Sequence, residues 1–255
     1  MAVRPTPALG RGTVRTAVVW DAITNALATL GARAPAPDAL DVLDLGGGTG
    51  GLAVRIAELG HRVCVVDPSP DALAALHRRA VDSGVDDRVE GVQGDATDLS
   101  DHVAPASADL VLCHGVLEVV DDPAEALHAI ERALRPEGVL SVTVAGRLSA
   151  VVSRALAGEF ERARALLQAR AGQWDVRRDG PRRYAREEIE SLLSERGFTV
   201  HQVDAVRVFC DLVPSAHLDG EPGARHALLE LERAVAALPE FGAMASQLHL
   251  VARRG

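Results

Sequence analysis

The residues Val42–Gly51, VLDLGGGTGG, decide how the rest of this chain is organised. A short apolar run carries an acidic residue near its end, and five glycines follow within six positions before an apolar helical pattern begins. This order predicts a buried strand, a tight turn and the N-terminal end of a helix. Glycine lets the backbone adopt positive φ and approach a ligand closely, while free N–H groups at a helix start attract polar atoms. The stretch therefore predicts a nucleotide-type binding loop.

The glycine spacing by itself does not name the cofactor. Gly46, Gly48 and Gly51 satisfy G-x-G-x-x-G, and Asp67 follows after about 20 residues, where a carboxylate can accept ribose hydroxyls. By that count an NAD-dependent oxidoreductase fits. However, Asp44 extends the motif to D-x-G-x-G-x-G, and three further segments follow in order. They are QGDAT (93–97), DLVLCHGVLEVVDDP (109–123) and LRPEGVLSV (134–142).

This ordered set resembles the class I S-adenosylmethionine (SAM)-dependent methyltransferases over roughly the first 145 residues. The resemblance implies an α/β fold with a Rossmann-like seven-stranded sheet, and S-adenosyl-L-methionine as the cofactor. It also implies an N-terminal helix, for which the apolar periodicity of Thr13–Leu30 is suitable. SAM carries an activated methyl group, so a protein that binds it needs mainly to align the acceptor and exclude water.

The resemblance gives roles to acidic residues that follow the second and third strands. Asp67 would accept both ribose hydroxyls, and the alternative is an N-cap for the helix that starts at Pro70. We favour the ribose role because the next residues, Pro68-Ser69-Pro70, already supply a helix start. Asp95 and Ala96 would bind the adenine, and the alternative is a turn-forming aspartate.

Three further residues complete the cofactor site that the resemblance implies. Asp44 would orient the methionine amino group, with a turn cap as the alternative. His114 follows the fourth strand and would border the sulfonium, although a lone histidine there is more often structural. Arg15 would meet the methionine carboxylate, with a solvated helix residue as the alternative. The full predicted set is Arg15, Asp44, Gly46, Gly48, Gly50, Asp67, Pro68, Asp95, Ala96 and His114.

Composition limits the partners of the chain. The net charge is −9 over 255 residues, which argues against a protein that coats nucleic acid with its whole surface. All 27 basic residues are arginine, a bias that lowers the chemical information in each. The three cysteines show neither metal-ligand nor disulfide spacing, so we expect no metal site and a cytoplasmic protein. No apolar run reaches about 18 residues and the N-terminus lacks a signal pattern, so no membrane partner is expected.

Short apolar runs alternate with helical patterns up to residue 145, which predicts a parallel, doubly wound sheet. The first of these helices is predicted over Gly50–Leu59, after the glycine turn. Two late strands, including Thr199–Phe209, predict an antiparallel edge. We expect one methyltransferase domain over residues 1–255. It comprises a SAM-binding core (13–145), a helical substrate insert (147–186) and C-terminal helices with antiparallel edge strands (187–255).

The insert is the most basic part of the chain. Residues 162–186 hold eight arginines against two aspartates, a local charge of +6. Trp174 and Tyr184 lie among the arginines, and guanidinium groups beside aromatic rings suit a phosphate backbone with unstacked bases. The alternative is a solvated helical surface whose basic residues are all arginine because of codon bias.

Most of the chain is similar to the bacterial methyltransferase family that esterifies 5-carboxymethoxyuridine at the tRNA wobble position. The similarity lies in GHRVCVVDPS (60–69), CHGVLEVVDDP (113–123), LRPEGVLS (134–141), AGEF (157–160), VRVFCDL (206–212), LLELE (228–232) and LHLVAR (248–253). It implies tRNA as the partner and adds Arg207 to the substrate residues. Together with the arginines and aromatic residues of the insert, the predicted substrate set is Trp174, Arg177, Arg178, Arg182, Arg183, Tyr184 and Arg207.

By the same similarity, Arg207 would face the acceptor carboxylate, with a surface position on an edge strand as the alternative. Arg207 and His114 are the two candidate catalytic residues. An ionised carboxylate needs no general base, whereas a neutral acceptor would. A small-molecule O-methyltransferase is the main alternative in acceptor, and a SAM-binding adaptor without activity is a further one. The oligomeric state is not readable from the sequence.

Overall fold

The computed structural model describes residues 11–33, 39–169 and 180–255. Its strands are β1 (Asp41–Leu45), β2 (Arg62–Asp67), β3 (Val89–Gln93), β4 (Ala108–His114), β5 (Leu134–Ala145), β6 (Phe198–Val206) and β7 (Gln247–Arg254). Its helices are α1 (Arg11–Arg33), α2 (Ala53–Glu58), α3 (Pro70–Ser83), α4 (Leu99–His102), α5 (Pro123–Ala133), α6 (Arg147–Leu156), α7 (Phe160–Gln168), α8 (Arg186–Glu195), α9 (Ser215–Asp219), α10 (Ala224–Ala236) and α11 (Pro239–Gly242).

The strands form one seven-stranded sheet in the order β3-β2-β1-β4-β5-β7-β6. The first five are parallel, whereas β7 runs antiparallel between β5 and β6. This confirms the predicted Rossmann-like sheet with its antiparallel edge. Strand order reverses between β1 and β4, and ligands of such sheets bind at the carboxyl ends of the strands beside that point.

Successive residues of the strands feed two cores, one on each face of the sheet. In β1, Leu43 and Leu45 belong to one apolar cluster while Val42 belongs to the other. Both clusters are built from Val, Leu, Ile and Ala, as the scarcity of aromatic residues requires. Because helices cover both faces, the strands read as short continuous apolar runs.

Helix α1 joins the two halves of the molecule. Val18, Ile23 and Leu27 pack into the cluster that contains Val42 of β1. Val14 and Ala17 pack into a third cluster with residues of the C-terminal section. The helix spans Arg11–Arg33, longer than the predicted Thr13–Leu30 at both ends.

Two predicted boundaries are wrong for the same backbone reason. The helix predicted from Gly50 begins only at Ala53, since Gly50 has φ +74°, outside the helical region. The strand predicted to reach Phe209 ends at Val206, since Arg207 has φ +59° and turns the chain out of the sheet. Both turns lie at the ligand edge of the sheet.

The described part of the insert is helical over Arg147–Leu156 and Phe160–Gln168 and irregular over residues 180–185. Helices α6 and α7 pack on each other across a turn at Gly158, which has φ +77°. Leu156 and Phe160 beside that turn are 75% and 69% exposed. Residues 170–179 of the insert lie outside the described ranges. Over the ranges that the structure describes, no helix has the length and apolar character needed to span a bilayer.

Candidate functional site

The glycine turn after β1 uses positive φ at three positions. Gly46, Gly48 and Gly50 have φ of +71°, +57° and +74°. A Cβ atom on Gly46 would lie 2.6 Å from Val116 Cγ2, and one on Gly50 would lie 2.1 Å from Leu76 Cδ1. Space and φ therefore both require glycine at those two positions.

Gly51 completes the G-x-G-x-x-G count, whereas Gly50 belongs to D-x-G-x-G-x-G and to the predicted cofactor set, and the structure separates the two glycines. A Cβ atom on Gly51 would meet nothing within 4 Å. Gly50 instead makes the close approach to α3. The spacing of G-x-G-x-x-G is present in the sequence, but its last glycine has no conformational role in this turn. The glycines that form the turn are those of D-x-G-x-G-x-G.

Asp67, the last residue of β2, ties this turn to the start of α3. It is only 8% exposed, and its Oδ2 and Oδ1 atoms accept hydrogen bonds from Gly48 N and Ser69 N, both at 2.9 Å. Ser69 caps α3 by accepting from Ala72 N at 3.2 Å. Ser69 thus fills the N-cap role that was the alternative for Asp67.

Asp95 lies two residues beyond the end of β3, in an exposed turn. Its Oδ1 atom accepts from Thr97 N at 2.7 Å and from Thr97 Oγ1 at 2.6 Å, and these hydrogen bonds lower the pKa of Asp95. Ala96 is buried, while Pro68 is exposed at the end of β2. Because β1, β2 and β3 are adjacent and parallel, Asp44, Asp67 and Asp95 occupy neighbouring positions on one edge of the sheet.

Asp44 has the most perturbed carboxyl group on this edge. It is 3% exposed, and burial, then the negative charge of Asp67, raise its pKa to about 7. A carboxylate in this position is stabilised by an added positive charge. The ammonium group of a methionine moiety is a ligand group of that kind.

The shifted pKa predicts how pH affects stability without a ligand. The folded chain holds the Asp44 proton more tightly than the unfolded chain, so stability is lost as pH rises from 3.8 toward about 7. We expect Asp44→Asn to reduce the loss of unfolding free energy between pH 5 and pH 8 by about 2 kcal/mol. Denaturant titrations at both pH values measure this. Asp71→Asn, on the exposed start of α3, is the control, and an unchanged pH dependence in Asp44→Asn would contradict the shift.

His114 ends β4 next to the glycine turn, since the preceding Cys113 pairs with Leu45 of β1. Its Nε2 atom lies 2.9 Å from Ser141 Oγ. Burial, then the nearby His249, lower the pKa of His114 to about 3. The ring is therefore neutral at physiological pH and is a weak base.

A cavity of about 510 Å³ lies farther along the same edge, where β5 and β6 end and β7 begins. Arg154, Arg183 and Arg207 line it. Asp211, also in its wall, pairs with Arg207 Nη2 at 2.6 Å and with Arg15 Nη2 at 2.9 Å. The structure thus places Arg15 beside the Arg207 loop, where an ion pair already engages it.

Arg183 differs from the other two cavity arginines. Arg154 pairs with Glu159, and Arg207 pairs with Asp211. In the part of the chain that the structure describes, the guanidinium of Arg183 has no hydrogen-bond or ion-pair partner. Burial lowers its pKa, and the positive charge of Arg154 adds to this. Among the described residues this half-buried cation therefore has no direct ion-pair partner, and the attraction of the nearby Glu118 offsets only part of the effect of burial on its pKa.

Two residues predicted to contact the substrate have structural roles instead. Tyr184 is 6% exposed, and its hydroxyl donates to Leu117 O at 2.8 Å, so its ring cannot serve as a stacking surface. The guanidinium of Arg182 donates to Val120 O, and to Asp121 O at 2.7 Å. These contacts hold the loop after β4 against the insert.

Local ion pairs also offset the basic character of the insert. Three of its arginines bind carboxylates on their own helix or turn: Arg162 with Glu159, Arg164 with Glu161 and Arg186 with Glu190. The predicted substrate residues Trp174, Arg177 and Arg178 lie outside the described residues. The charge count over residues 162–186 left out these glutamates, which lie just outside that range, and so overstated the charge that this surface presents.

Sequence reasoning missed two buried acids near the cavity. Glu118 accepts from Ala145 N at 2.8 Å through Oε1, while Oε2 is buried without a partner among the described residues. Burial raises the pKa of Glu118. Glu232, 1% exposed on α10, binds the backbone of the Arg207 loop. Both residues stood inside quoted motifs, but an acid within a motif does not show where its side chain points.

Comparison with known proteins is consistent with this arrangement. A family model described as "Methyltransferase domain" matches residues 43–142. The chain is 31% identical over 244 residues to the tRNA 5-carboxymethoxyuridine methyltransferase of Escherichia coli (strain K12), covering 96% of this chain and 89% of that protein.

Two other similarities involve the fold or the cofactor half. A ubiquinone biosynthesis O-methyltransferase of Xanthomonas euvesicatoria pv. vesicatoria (strain 85-10) is 34% identical over 119 residues, 46% of this chain and 48% of that protein. The crystal structure of an S-adenosylmethionine-dependent methyltransferase from Mesorhizobium loti superposes with a TM-score of 0.57 at 21% identity. It covers 94% of this chain and 100% of that one, and at this identity it shows the fold alone.

The full-length similarity decides between the classes that the glycine turn left open. It does not favour an NAD-dependent oxidoreductase, and the match to the ubiquinone enzyme is confined to less than half of this chain. The chain belongs to the tRNA 5-carboxymethoxyuridine methyltransferase family of class I SAM-dependent methyltransferases.

Proposed function

We propose that this protein transfers the methyl group of SAM to the carboxylate of a 5-carboxymethoxyuridine-type wobble nucleotide in tRNA, forming a methyl ester. The observation that carries the proposal is the cavity lined by Arg154, Arg183 and Arg207, in which Arg183 has no direct ion-pair partner among the described residues. The similarity over 96% of the chain to an enzyme named for this nucleotide supports the same acceptor.

The donor groups of SAM suit the three carboxylates at the sheet edge. Asp67 is suited to the ribose hydroxyls, Asp44 to the methionine ammonium and Asp95 to the adenine amine. The structure leaves room for the ribose beside Gly48. A Cβ atom added at Gly48 would have no neighbour closer than Asp67 Oδ2, at 3.9 Å. The space in front of Asp67 is therefore open, as a ribose at that place requires.

The chemistry demands orientation from this chain more than proton transfer. SAM supplies, when bound, a methyl group activated by its positive sulfonium. A carboxylate acceptor is already ionised near pH 7, so the weak basicity of His114 does not prevent the reaction. The arginines would hold the acceptor carboxylate in line and compensate its charge. Arg207 and Arg183 lie in the same cavity wall, so both can face one anion.

Arg183 is the residue whose loss tests the acceptor most directly. We expect Arg183→Met to lower kcat/KM for tRNA by about 10- to 100-fold, the scale of a hydrogen bond to a charged group. SAM-homocysteine affinity should stay unchanged. Arg164→Met is the matched control, because Arg164 is an exposed insert arginine already paired with Glu161. Equal losses in both variants would mean that only general insert charge matters.

The first experiment is transfer of labelled methyl from SAM into total tRNA from a strain that lacks this protein. We expect label that is sensitive to nuclease and labile to base, as a methyl ester on tRNA would be. Calorimetry with SAM-homocysteine runs in parallel. Binding without any label on tRNA would reject the proposed acceptor and direct the search to small carboxylates.

A further inference from the structure

A chain of polar side chains runs through the middle of the sheet, where apolar residues are the rule. Asp204 on β6, His249 on β7 and Ser141 on β5 are 3%, 0% and 0% exposed. The chain ends at His114 on β4, beside the glycine turn. Burying the three polar groups of Asp204, His249 and Ser141 is costly unless each is hydrogen-bonded, which suggests that the arrangement has a function.

Each link of the chain has hydrogen-bond geometry. Asp204 Oδ2 lies 3.1 Å from His249 Nδ1, and His249 Nε2 lies 2.8 Å from Ser141 Oγ. Ser141 Oγ in turn lies 2.9 Å from His114 Nε2. Asp204 Oδ2 also accepts from Gln202 Nε2 at 2.8 Å, which fixes the first carboxylate in the chain.

The carboxylate of Asp204 determines which atom donates and which accepts in each of these hydrogen bonds. An ionised carboxylate only accepts, so His249 carries its proton on Nδ1 and, as a neutral ring, accepts at Nε2. Ser141 then donates to His249 and accepts from His114. His114 therefore carries its proton on Nε2, and its Nδ1 atom keeps a lone pair. The opposite direction would require either a second proton on His249 or a proton on Asp204, in both cases in the core.

Nδ1 of His114 is the free end of this chain. Across the described ranges it has no hydrogen-bond partner, and it is not among the fully buried polar atoms that lack one, so this atom of the partly buried ring keeps some exposure. The tautomer decides what it presents there. With Nδ1 protonated the ring would present a positively polarised N–H, and with Nε2 protonated it presents an electron pair.

We propose that Asp204, His249 and Ser141 are positioning residues that hold His114 as its neutral Nε2–H tautomer, with the lone pair of Nδ1 at the methyl-transfer site. The proposal rests on the proposed function for the identity of that site. A lone pair is the favourable partner for a nearby sulfonium, whereas an N–H or an imidazolium would oppose the positive charge. A fixed dipole of this kind stabilises charge without reorganising during the reaction.

The test is the ¹⁵N NMR spectrum of the His114 ring in the full-length protein, without acceptor. We expect one tautomer at pH 7, with a protonated Nε2 and an unprotonated Nδ1. A wild-type ring that is Nδ1–H, or an even mixture, would overturn the proposal even before any variant is made. This readout does not depend on which acceptor is methylated, so a failure of the tRNA assignment remains distinguishable.

Variants separate positioning from mere packing. Ser141→Ala should mix the tautomers and lower kcat about tenfold, the scale of one hydrogen bond, with KM for tRNA unchanged. Ser141→Thr keeps the hydroxyl group and should restore both the tautomer and kcat. Thermal unfolding checks that each variant is folded. If Ser141→Ala keeps the single tautomer, or loses the tautomer at full kcat, the inference is wrong.

Discussion

Replacing Glu232 with alanine is expected to lower the free energy of unfolding by about 3–4 kcal/mol, because it leaves three buried N–H groups without an acceptor. Glu232 Oε2 accepts from Val208 N at 3.0 Å, and Oε1 accepts from Phe209 N and Cys210 N at 2.9 and 2.8 Å. The side chain is 1% exposed, so in the folded protein these N–H groups depend on Glu232 and not on bulk water.

The same substitution should also lower methyl transfer, because these three N–H groups directly follow Arg207. Without Glu232 the loop loses its hydrogen bonds to α10. The unfavourable positive φ of Arg207 is then no longer held by those hydrogen bonds. We therefore expect kcat/KM to fall even at temperatures where the variant is still folded. Glu232→Gln, which keeps one acceptor oxygen, should lie between alanine and wild type.

Denaturant titration and initial rates at low temperature measure the two effects of Glu232→Ala. Glu230→Ala is the matched control, since Glu230 lies two residues earlier on the same helix and pairs with Arg233 on the exposed surface. A surface pair of this kind is worth about 0–1 kcal/mol. If the Glu232→Ala protein is as stable as the Glu230→Ala protein, the loop after Arg207 does not depend on Glu232 for its conformation.

The sheet and the cofactor edge were predictable because their signals are local. The glycine turn needs positive φ within a few residues, and Asp67 and Asp95 follow their own strands directly. Each strand is a short apolar run between turn residues, so the alternation of strands and helices could be read along the chain. Parallel strands then bring those carboxylates to one edge without further information.

The substrate side was less predictable because the direction of each side chain depends on distant partners. Tyr184 looked like an exposed ring among arginines, yet its hydroxyl bonds a carbonyl 67 residues away in sequence. Because every basic residue of the chain is arginine, a cluster of arginines indicates a binding surface less clearly than usual. Only the structure shows that Arg154 and Arg207 form ion pairs whereas Arg183, among the described residues, does not. Arg207 could be placed near the acceptor by family similarity, whereas its positive φ had no signal in the sequence.

The buried polar chain had no sequence signal either. Asp204 and His249 are 45 residues apart, and Ser141 and His249 are 108 apart. A serine or histidine in an apolar strand is consistent with many environments. Only the antiparallel insertion of β7 between β5 and β6 brings these three side chains together.

Replacing Gly48 with valine is expected to weaken SAM-homocysteine binding by at least about 100-fold, through overpacking and backbone strain together. The valine side chain would enter the open space in front of Asp67, which the proposed ribose position requires. In addition, φ of +57° is unfavourable for a β-branched residue and costs about 1–3 kcal/mol. The variant should therefore be less stable as well as unable to bind the cofactor.

Gly51→Ala is the control that isolates the effect of Gly48, because a Cβ atom there meets nothing within 4 Å and its φ is not positive. It should bind SAM-homocysteine as wild type does. Calorimetry at a temperature where circular dichroism shows both variants folded compares the affinities. Wild-type affinity in Gly48→Val would move the cofactor away from this turn. Equal loss in both variants would mean that any substitution disturbs the loop, and the argument for open space before Asp67 would fail.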